Sequence, residues 1–307
     1  MSRVIVVGSA NVDFVVQTPH IPRPGETVLG HSFVMAMGGK GANQAVGAAR
    51  LGAEVTFVAR VGSDIFGDQC LEAYRAEGID TRFITRDPQE ATGVALIAVA
   101  ADGENSITVA SGANMRLLPE HVEAARPAFD GADVLVMQLE VPPETVMAAA
   151  RLARANGVRV VLNPAPARTL PRDLLQLVDV LTPNRIELAQ LAGITEHEVT
   201  SLTDSQLGQV LLGLGVKEGV ITLGAEGALV VAGGEAIRIP AFPITAVDTT
   251  AAGDAFNAGL AVALGQGESL QKAARYANAC GALAATRIGA QPSLPTATEI
   301  ATFLAQH

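Results

Sequence analysis

The sequence predicts an α/β protein built on a central, mostly parallel sheet flanked by helices, with a smaller β-sheet outside that pattern. Three observations predict it. From Asp133 onward, short apolar runs alternate with helical patterns, the rhythm of a parallel sheet with crossover helices. The chain opens on a continuous apolar run, Val4–Val7 closed by Gly8, which suits a strand covered on both faces. Two segments, about 11–34 and 91–112, read as extended chain outside the alternation. No repeat, low-complexity tract or linker divides residues 1–307, so a single domain is expected.

Composition narrows the function. Hydrophobic residues make up 49% of the chain and charged ones 17%, enough for a large core. A formal charge of −10 repels phosphate backbones and anionic lipid, which argues against nucleic-acid and membrane partners. Cys70 and Cys280 have no paired spacing, which argues against a disulfide framework or zinc site and fits a reducing cytoplasm. The opening apolar run is too short for a signal-peptide core, and no run approaches the ~20 apolar residues that span a bilayer.

After the first strand, Asn11 and Asp13 lie two apart in an extended segment and so share one face. They are either ordinary alternation or a pair of hydroxyl-binding groups. Pro19, Pro22, Pro24 and Gly25 punctuate a loop before a second extended segment, Glu26–Val34. Gly38, Gly39 and Gly41 then open a small-residue helix reaching about Leu51. Such a turn serves tight packing or lets a ligand approach the backbone; it is neither a P-loop nor a G-x-G-x-x-G fingerprint. A strand over Glu54–Val61 and a helix over Phe66–Arg75, stopped by Gly78, follow. Thr92–Val99 and Ser106–Ala110 flank Asp102-Gly103-Glu104-Asn105 and predict a hairpin.

The alternating half predicts strands at Val134–Leu139, Val158–Leu162 and Val180–Thr182, with helices at Pro143–Ala155 and Leu170–Leu177. Glu140 stands at a strand's carboxyl end, where open α/β sheets bind ligands, and is either a hydroxyl acceptor or a loop charge. Asn184 and Glu187, three apart at a helix start, suit either a capping box or a magnesium ion with its waters. Val220–Gly227 reads as a strand ending in a turn. In Asp248–Gly259, small residues at Ala251, Ala252 and Gly253 lead into a helix and leave N–H groups free for an anion. Asp254 beside them is either an N-cap or a base that takes a proton from an attacking hydroxyl. The last long helix is predicted over Ser269 to about Thr286, with Asn278 exposed on it.

Three stretches carry a family resemblance: Gly38-Gly39-Lys40-Gly41-Ala42-Asn43-Gln44-Ala45, Asn184-x-x-Glu187, and Asp248-Thr249-x-Ala251-Ala252-Gly253-Asp254-x-Phe256-Asn257. In order and spacing, from Gly8 to Ser293, the chain resembles the ribokinase-like sugar kinases. The resemblance implies a three-layer fold with the small sheet as a lid, and transfer of the ATP γ-phosphoryl to the 5-hydroxyl of D-ribose. Asp254 is then the base, and Ala251, Ala252 and Gly253 form the anion hole. Asn11, Asp13, the Gly39 backbone, Asn43 and Glu140 hold the sugar, with Lys40 either a sugar contact or a solvated loop lysine. Thr222, Gly224 and Gly227 touch the nucleotide, as does Asn184, and Asn278 falls near the adenine. Magnesium is held through water by Asn184 and Glu187. Potassium is held by Asp248 and by oxygens of Thr250, Ala284, Arg287, Gly289 and Ser293. The lids of two subunits clasp in a homodimer, and Ala95, Ile97 and Ile107 face the sugar or the partner. A relative acting on deoxyribose or a nucleoside, or a sugar sensor that kept only the fold, is the alternative. A nicotinamide oxidoreductase fails for want of its glycine fingerprint.

Overall fold

The computed structural model describes residues 1–307. Its strands are β1 (Arg3–Val7), β2 (Asn11–Thr18), β3 (Ser32–Gly38), β4 (Glu54–Gly62), β5 (Ile84–Asp87), β6 (Gly93–Ala100), β7 (Asn105–Ala110), β8 (Val134–Met137), β9 (Arg159–Leu162), β10 (Val180–Leu181), β11 (Gly219–Thr222), β12 (Ala228–Ala232) and β13 (Glu235–Ile239). Nine form the main sheet in the order β13-β12-β11-β10-β9-β8-β1-β4-β5. Pairing is parallel from β11 to β5, and β12 and β13 add an antiparallel edge. Alternation along β1 divides the interior. Val4 and Val6 face a core shared with helices Lys40–Arg50, Ala252–Gly265 and Leu270–Ala285, while Ile5 and Val7 face one shared with helix Pro143–Ala155. Three layers result.

β1 lies between β4 and β8, so successive connections leave it in opposite directions. The crevice at such a reversal, beyond the strand carboxyl ends, is where ligands of open α/β sheets settle. Gly8, Glu140, Asn163, Thr182 and Thr222 all stand at those ends.

The second sheet, ordered β3-β2-β6-β7, combines a parallel β2–β6 pair with antiparallel β2–β3 and β6–β7 pairs. The predicted hairpin is β6–β7, turned at Gly103 with φ 90°. Phe33, Val34, Leu96 and Ile107 on this sheet are each more than half exposed.

Two predicted elements moved. The segment Glu26–Val34 is not a strand over its first half. Register with β2 sets β3, from Gln17↔Ser32 to Asn11↔Gly38, leaving residues 26–31 beyond the last paired position and carrying β3 into the glycine-rich turn. The helix expected over Leu170–Leu177 contracts to Arg172–Leu175, because Pro171 is extended (ψ 143°) and disfavours helix at the residue before it.

Candidate active site

The helix Ala252–Gly265 begins from a left-handed residue, Ala251, the one non-glycine with positive φ (59°). A residue with a Cβ rarely adopts this conformation, and its occurrence at the turn marks stored strain. The N–H of Ala252 donates to Thr249 O, but those of Ala251, Gly253 and Asp254 find no backbone acceptor. Free N–H groups of this kind at a helix N-terminus are suited to binding an anion. The capping reading of Asp254 is overturned, since Ala251 is the N-cap and Asp254 lies inside the first turn. Its carboxylate, 6% exposed, accepts instead from Asn43 Nδ2 and Gln44 Nε2, each at 2.9 Å. Burial pushes its pKa up, against the opposing pull of Lys40 and these two amides.

The glycine-rich turn packs against β1 and β2 too closely for side chains. A Cβ on Gly41 would stand 2.5 Å from Ser9 N, and one on Gly38 would stand 2.1 Å from Asp13 Oδ2. Gly39 has φ 87°. Glu140 is tied to this turn: its Oε2 accepts from Lys40 N at 3.0 Å and from Ser9 Oγ at 2.5 Å. Asn11 is buried, and its Oδ1 accepts from Asn114 Nδ2 at 2.7 Å, which leaves its NH₂ group to face outward partners. Asp13 is pushed up to about 6 by burial and by the neighbouring Glu140 and Asp254 carboxylates. Lys40 is no solvated loop lysine. It is half-buried, and Asp254 first, then Glu140, Glu187 and Asp13, hold its ammonium charged. Asn43 Oδ1 is buried without a partner.

On the other side of Asp254, a cleft of about 400 Å³ is lined by Thr222, Gly224, Gly227, Gly253, Phe256 and Asn278 among others, mostly apolar. Asn278 is not exposed as expected: it is 7% exposed, and its Nδ2 donates to Ile239 O and Pro240 O. Asn184 and Glu187 form a reciprocal capping box at 2.8 Å in each direction. Glu187 is nonetheless pushed up by burial and lies within electrostatic reach of Lys40 and Asp254. No group of three or more His, Cys, Asp or Glu side chains is disposed to hold a metal ion.

Asp248 bridges two loops directly. Its Oδ1 accepts from Thr250 N at 2.8 Å and its Oδ2 from Gly289 N at 2.9 Å. Burial raises its pKa, but these hydrogen bonds outweigh that and hold it below the usual range. Nearby, Ala284 O accepts from Arg287 N, the Arg287 side chain pairs with Glu299, and Ser293 Oγ donates to Ala290 O.

The structure therefore brings Asp13, Lys40, Asn43, Glu140 and Asp254 into one cluster. It sets Thr222, Gly224, Gly227, Gly253 and Asn278 around an adjoining cleft. Residues to which the sequence assigned no role also belong here: Ser9, Gln44, Asn114, Asn163 and Asn257, of which Gln44 and Asn257 stand inside the motifs quoted above. Outside the motifs the signal is faint, a lone polar residue after an apolar run, as in Val160-Val161-Leu162-Asn163.

Comparison with known proteins agrees with this arrangement. Residues 1–297 match the model of the pfkB family carbohydrate kinases. The chain is 45% identical to a ribokinase of Haemophilus influenzae over 97% of each chain. Among solved structures, it is similar to ribokinase from Thermotoga maritima (TM-score 0.90, 36% identity, 99% and 100% of the two chains covered). It is also similar to Arabidopsis thaliana ribokinase complexed with ribose and ATP (TM-score 0.89, 33% identity, 99% of each chain). The nine-stranded sheet, the separate four-stranded sheet and the matched length leave one conclusion: the chain belongs to the pfkB family of carbohydrate kinases.

Proposed function

We propose that the chain is a single kinase domain, 1–307, that transfers the γ-phosphoryl of ATP to the 5-hydroxyl of D-ribose. The observation that carries the reading is the position of Asp254. Its buried carboxylate lies between an amide with an unpaired oxygen, Asn43, and unpaired N–H groups at its own helix start.

Asp254 takes the proton of the 5-hydroxyl as that oxygen bonds to the γ-phosphorus and the bond from phosphorus to the β-phosphate oxygen breaks, releasing ADP. Burial makes the carboxylate more basic, and Asn43 and Gln44 keep it aimed. The free N–H groups of Gly253 and Asp254 stabilise charge on the transferring group without a basic side chain. Asn11, Asp13, the Gly39 backbone, Asn43 and Glu140 hold the sugar hydroxyls, with Lys40 balancing their charge. The cleft beside Thr222, Gly224, Gly227 and Asn278 takes the nucleotide.

Magnesium would be held through water by the half-buried Glu187 carboxylate and Asn184, where it would neutralise phosphate charge. Potassium fits the oxygen-only donor set of Asp248 with the Thr250, Ala284, Arg287 and Gly289 carbonyls and Ser293, and supplies a fixed positive charge joining the two loops. The face of the small sheet that carries Val34, Ile107 and Val109, all exposed, supports a homodimer through the lids. Ile107→Glu is expected to sediment as a monomer; an unchanged sedimentation coefficient would exclude that interface. The buried, unpaired Cys70 and Cys280 support a reducing, cytoplasmic setting, and no helix is long and apolar enough to cross a membrane.

The test is a phosphorylation screen of D-ribose, 2-deoxyribose, hexoses and nucleosides with ATP and magnesium. Ribose is expected to give the highest kcat/KM. A higher value for deoxyribose or a nucleoside would reassign the substrate, and no turnover of any would leave a sensor.

A further inference from the structure

Gln44 sits beside Asn43 on the helix Lys40–Arg50, is 1% exposed, and has every polar atom of its amide committed. Its Nε2 donates to Asp254 Oδ1 at 2.9 Å and to Asn163 Oδ1 at 3.2 Å, and its Oε1 accepts from Gln138 Nε2 at 2.5 Å. The orientation is forced. A carboxylate only accepts, so the NH₂ group of Gln44 must face Asp254 and its oxygen must face Gln138.

The same logic runs onward. Asn163 Nδ2 donates to the Thr182 carbonyl at 3.2 Å, which turns its oxygen toward Gln44. Thr182 Oγ1 donates to Asn257 Oδ1 at 2.6 Å, and Asn257 Nδ2 donates to Gly253 O at 2.8 Å. The series starts at Asp254 and returns to the residue before it, passing through the strand end that leads into Asn184. All of its side chains are buried. Polar groups in such a place are costly unless bonded and rigid once they are.

We propose that Gln44, oriented by Gln138 and Asn163, is a positioning residue that fixes the Asp254 carboxylate for proton abstraction. The proposal rests on the reading of Asp254 as the base. Asn43 holds the other carboxylate oxygen but has a free acceptor toward the sugar side, whereas Gln44 has none to spare. Its work is confined to Asp254. An N–H donated to a carboxylate favours the anion, so removing it raises the pH at which the base becomes protonated. The charged groups around Asp254 are Lys40, Glu140, Asp13 and Glu187, and a change at Gln44 leaves all four in place.

The experiment is a set of pH profiles of kcat for wild type, Gln44→Met, Gln138→Met and Asp254→Asn. Methionine keeps the length of glutamine and removes the donor. For Gln44→Met the acid limb is expected to move up by about one pH unit, and the plateau kcat to fall about tenfold, with both KM values within about threefold. Gln138→Met, which does not touch Asp254, should move the limb the same way by less, and it decides the matter if Gln44→Met fails to fold. A lowered Tm with an unmoved acid limb in the folded variants means that Gln44 is core packing, and overturns the proposal. Asp254→Asn retaining more than about a tenth of wild-type kcat would instead overturn the base assignment and, with it, this inference.

Discussion

Asn43 donates its amide nitrogen to Asp254 Oδ2 at 2.9 Å while its own Oδ1 stays buried without a partner. A buried acceptor left unpaired costs about 1–3 kcal/mol, and a hydroxyl arriving beside Asp254 would remove that cost. One residue thus joins hydroxyl binding to the carboxylate that would deprotonate it.

Asp254→Asn is the direct test. The substitution keeps shape and removes the base, so kcat is expected to fall about 10³-fold while ribose affinity changes little. Removing the buried negative charge favours the fold, but the new amide faces one of the Asn43 and Gln44 donors with its own NH₂, so the two effects offset and Tm should change little. Pre-steady-state turnover and ribose titration calorimetry on the same variant separate the two effects; loss of binding along with turnover would count against a base.

Two glycines separate function from folding. A Cβ on Gly253 meets nothing within 4 Å, and the residue lines the cleft, so Gly253→Ala places a methyl in open space beside the free N–H groups. Its Tm should match wild type while kcat/KM for ATP falls about tenfold or more. Gly41→Ala should do the reverse in kind, because its methyl would stand 2.5 Å from Ser9 N and 2.6 Å from Gly8 C. A loss of ~2 kcal/mol or more of stability is expected there. Thermal melts of both proteins check the contrast.

Much of this was legible in the sequence because it is local. The turns at 38–41 and 251–253 depend on small residues next to one another, and the Asn184–Glu187 box on a three-residue spacing. The strand rhythm after Asp133 follows from apolar runs alone. What escaped is set by tertiary contact. Gln44 meets Asp254 across 210 residues and Asn163 across 119, and no periodicity marks such pairs. The displacement of β3 has the same origin, since register with β2, not propensity, decides which residues of 26–38 pair. Asn278 looked exposed because polar residues on helices usually are; its partners are the carbonyls of Ile239 and Pro240, after β13.

Asp13 gives the site a titration near neutrality. Its pKa is pushed up to about 6 from 3.8, by burial first and then by Glu140 and Asp254. In that window the folded state holds a proton that the unfolded state has released, so this group's contribution to stability is full below pH ~4 and is lost as pH rises through ~6. Asp13→Asn should therefore raise the apo-protein's Tm at pH 7.5 and leave it nearly unchanged at pH 4. The same substitution should remove an inflection near pH 6 in the KM for ribose. Equal Tm increments at the two pH values would mean that Asp13 ionises normally.

Asp248 makes the last prediction. Its two oxygens hold Thr250 N and Gly289 N, so it ties the loop before the anion-binding turn to the C-terminal loop without help. Those bonds leave further lone pairs on each oxygen, which together with the carbonyls and Ser293 proposed above make up an oxygen-only donor set. A monovalent cation shared among them would stiffen the same connection and fix the N–H directions of Gly253 and Asp254 before phosphoryl transfer. Its effect should then appear in kcat and little in KM. Potassium is expected to raise kcat above its value in sodium at matched ionic strength. Asp248→Ala should abolish that difference and also lower kcat in sodium, because it removes the carboxylate's own bridge. The second effect distinguishes the two roles. If kcat in wild type is the same in potassium, sodium and a bulky organic cation, Asp248 works as a bridge alone, and the variant should then lose the same factor in all three salts.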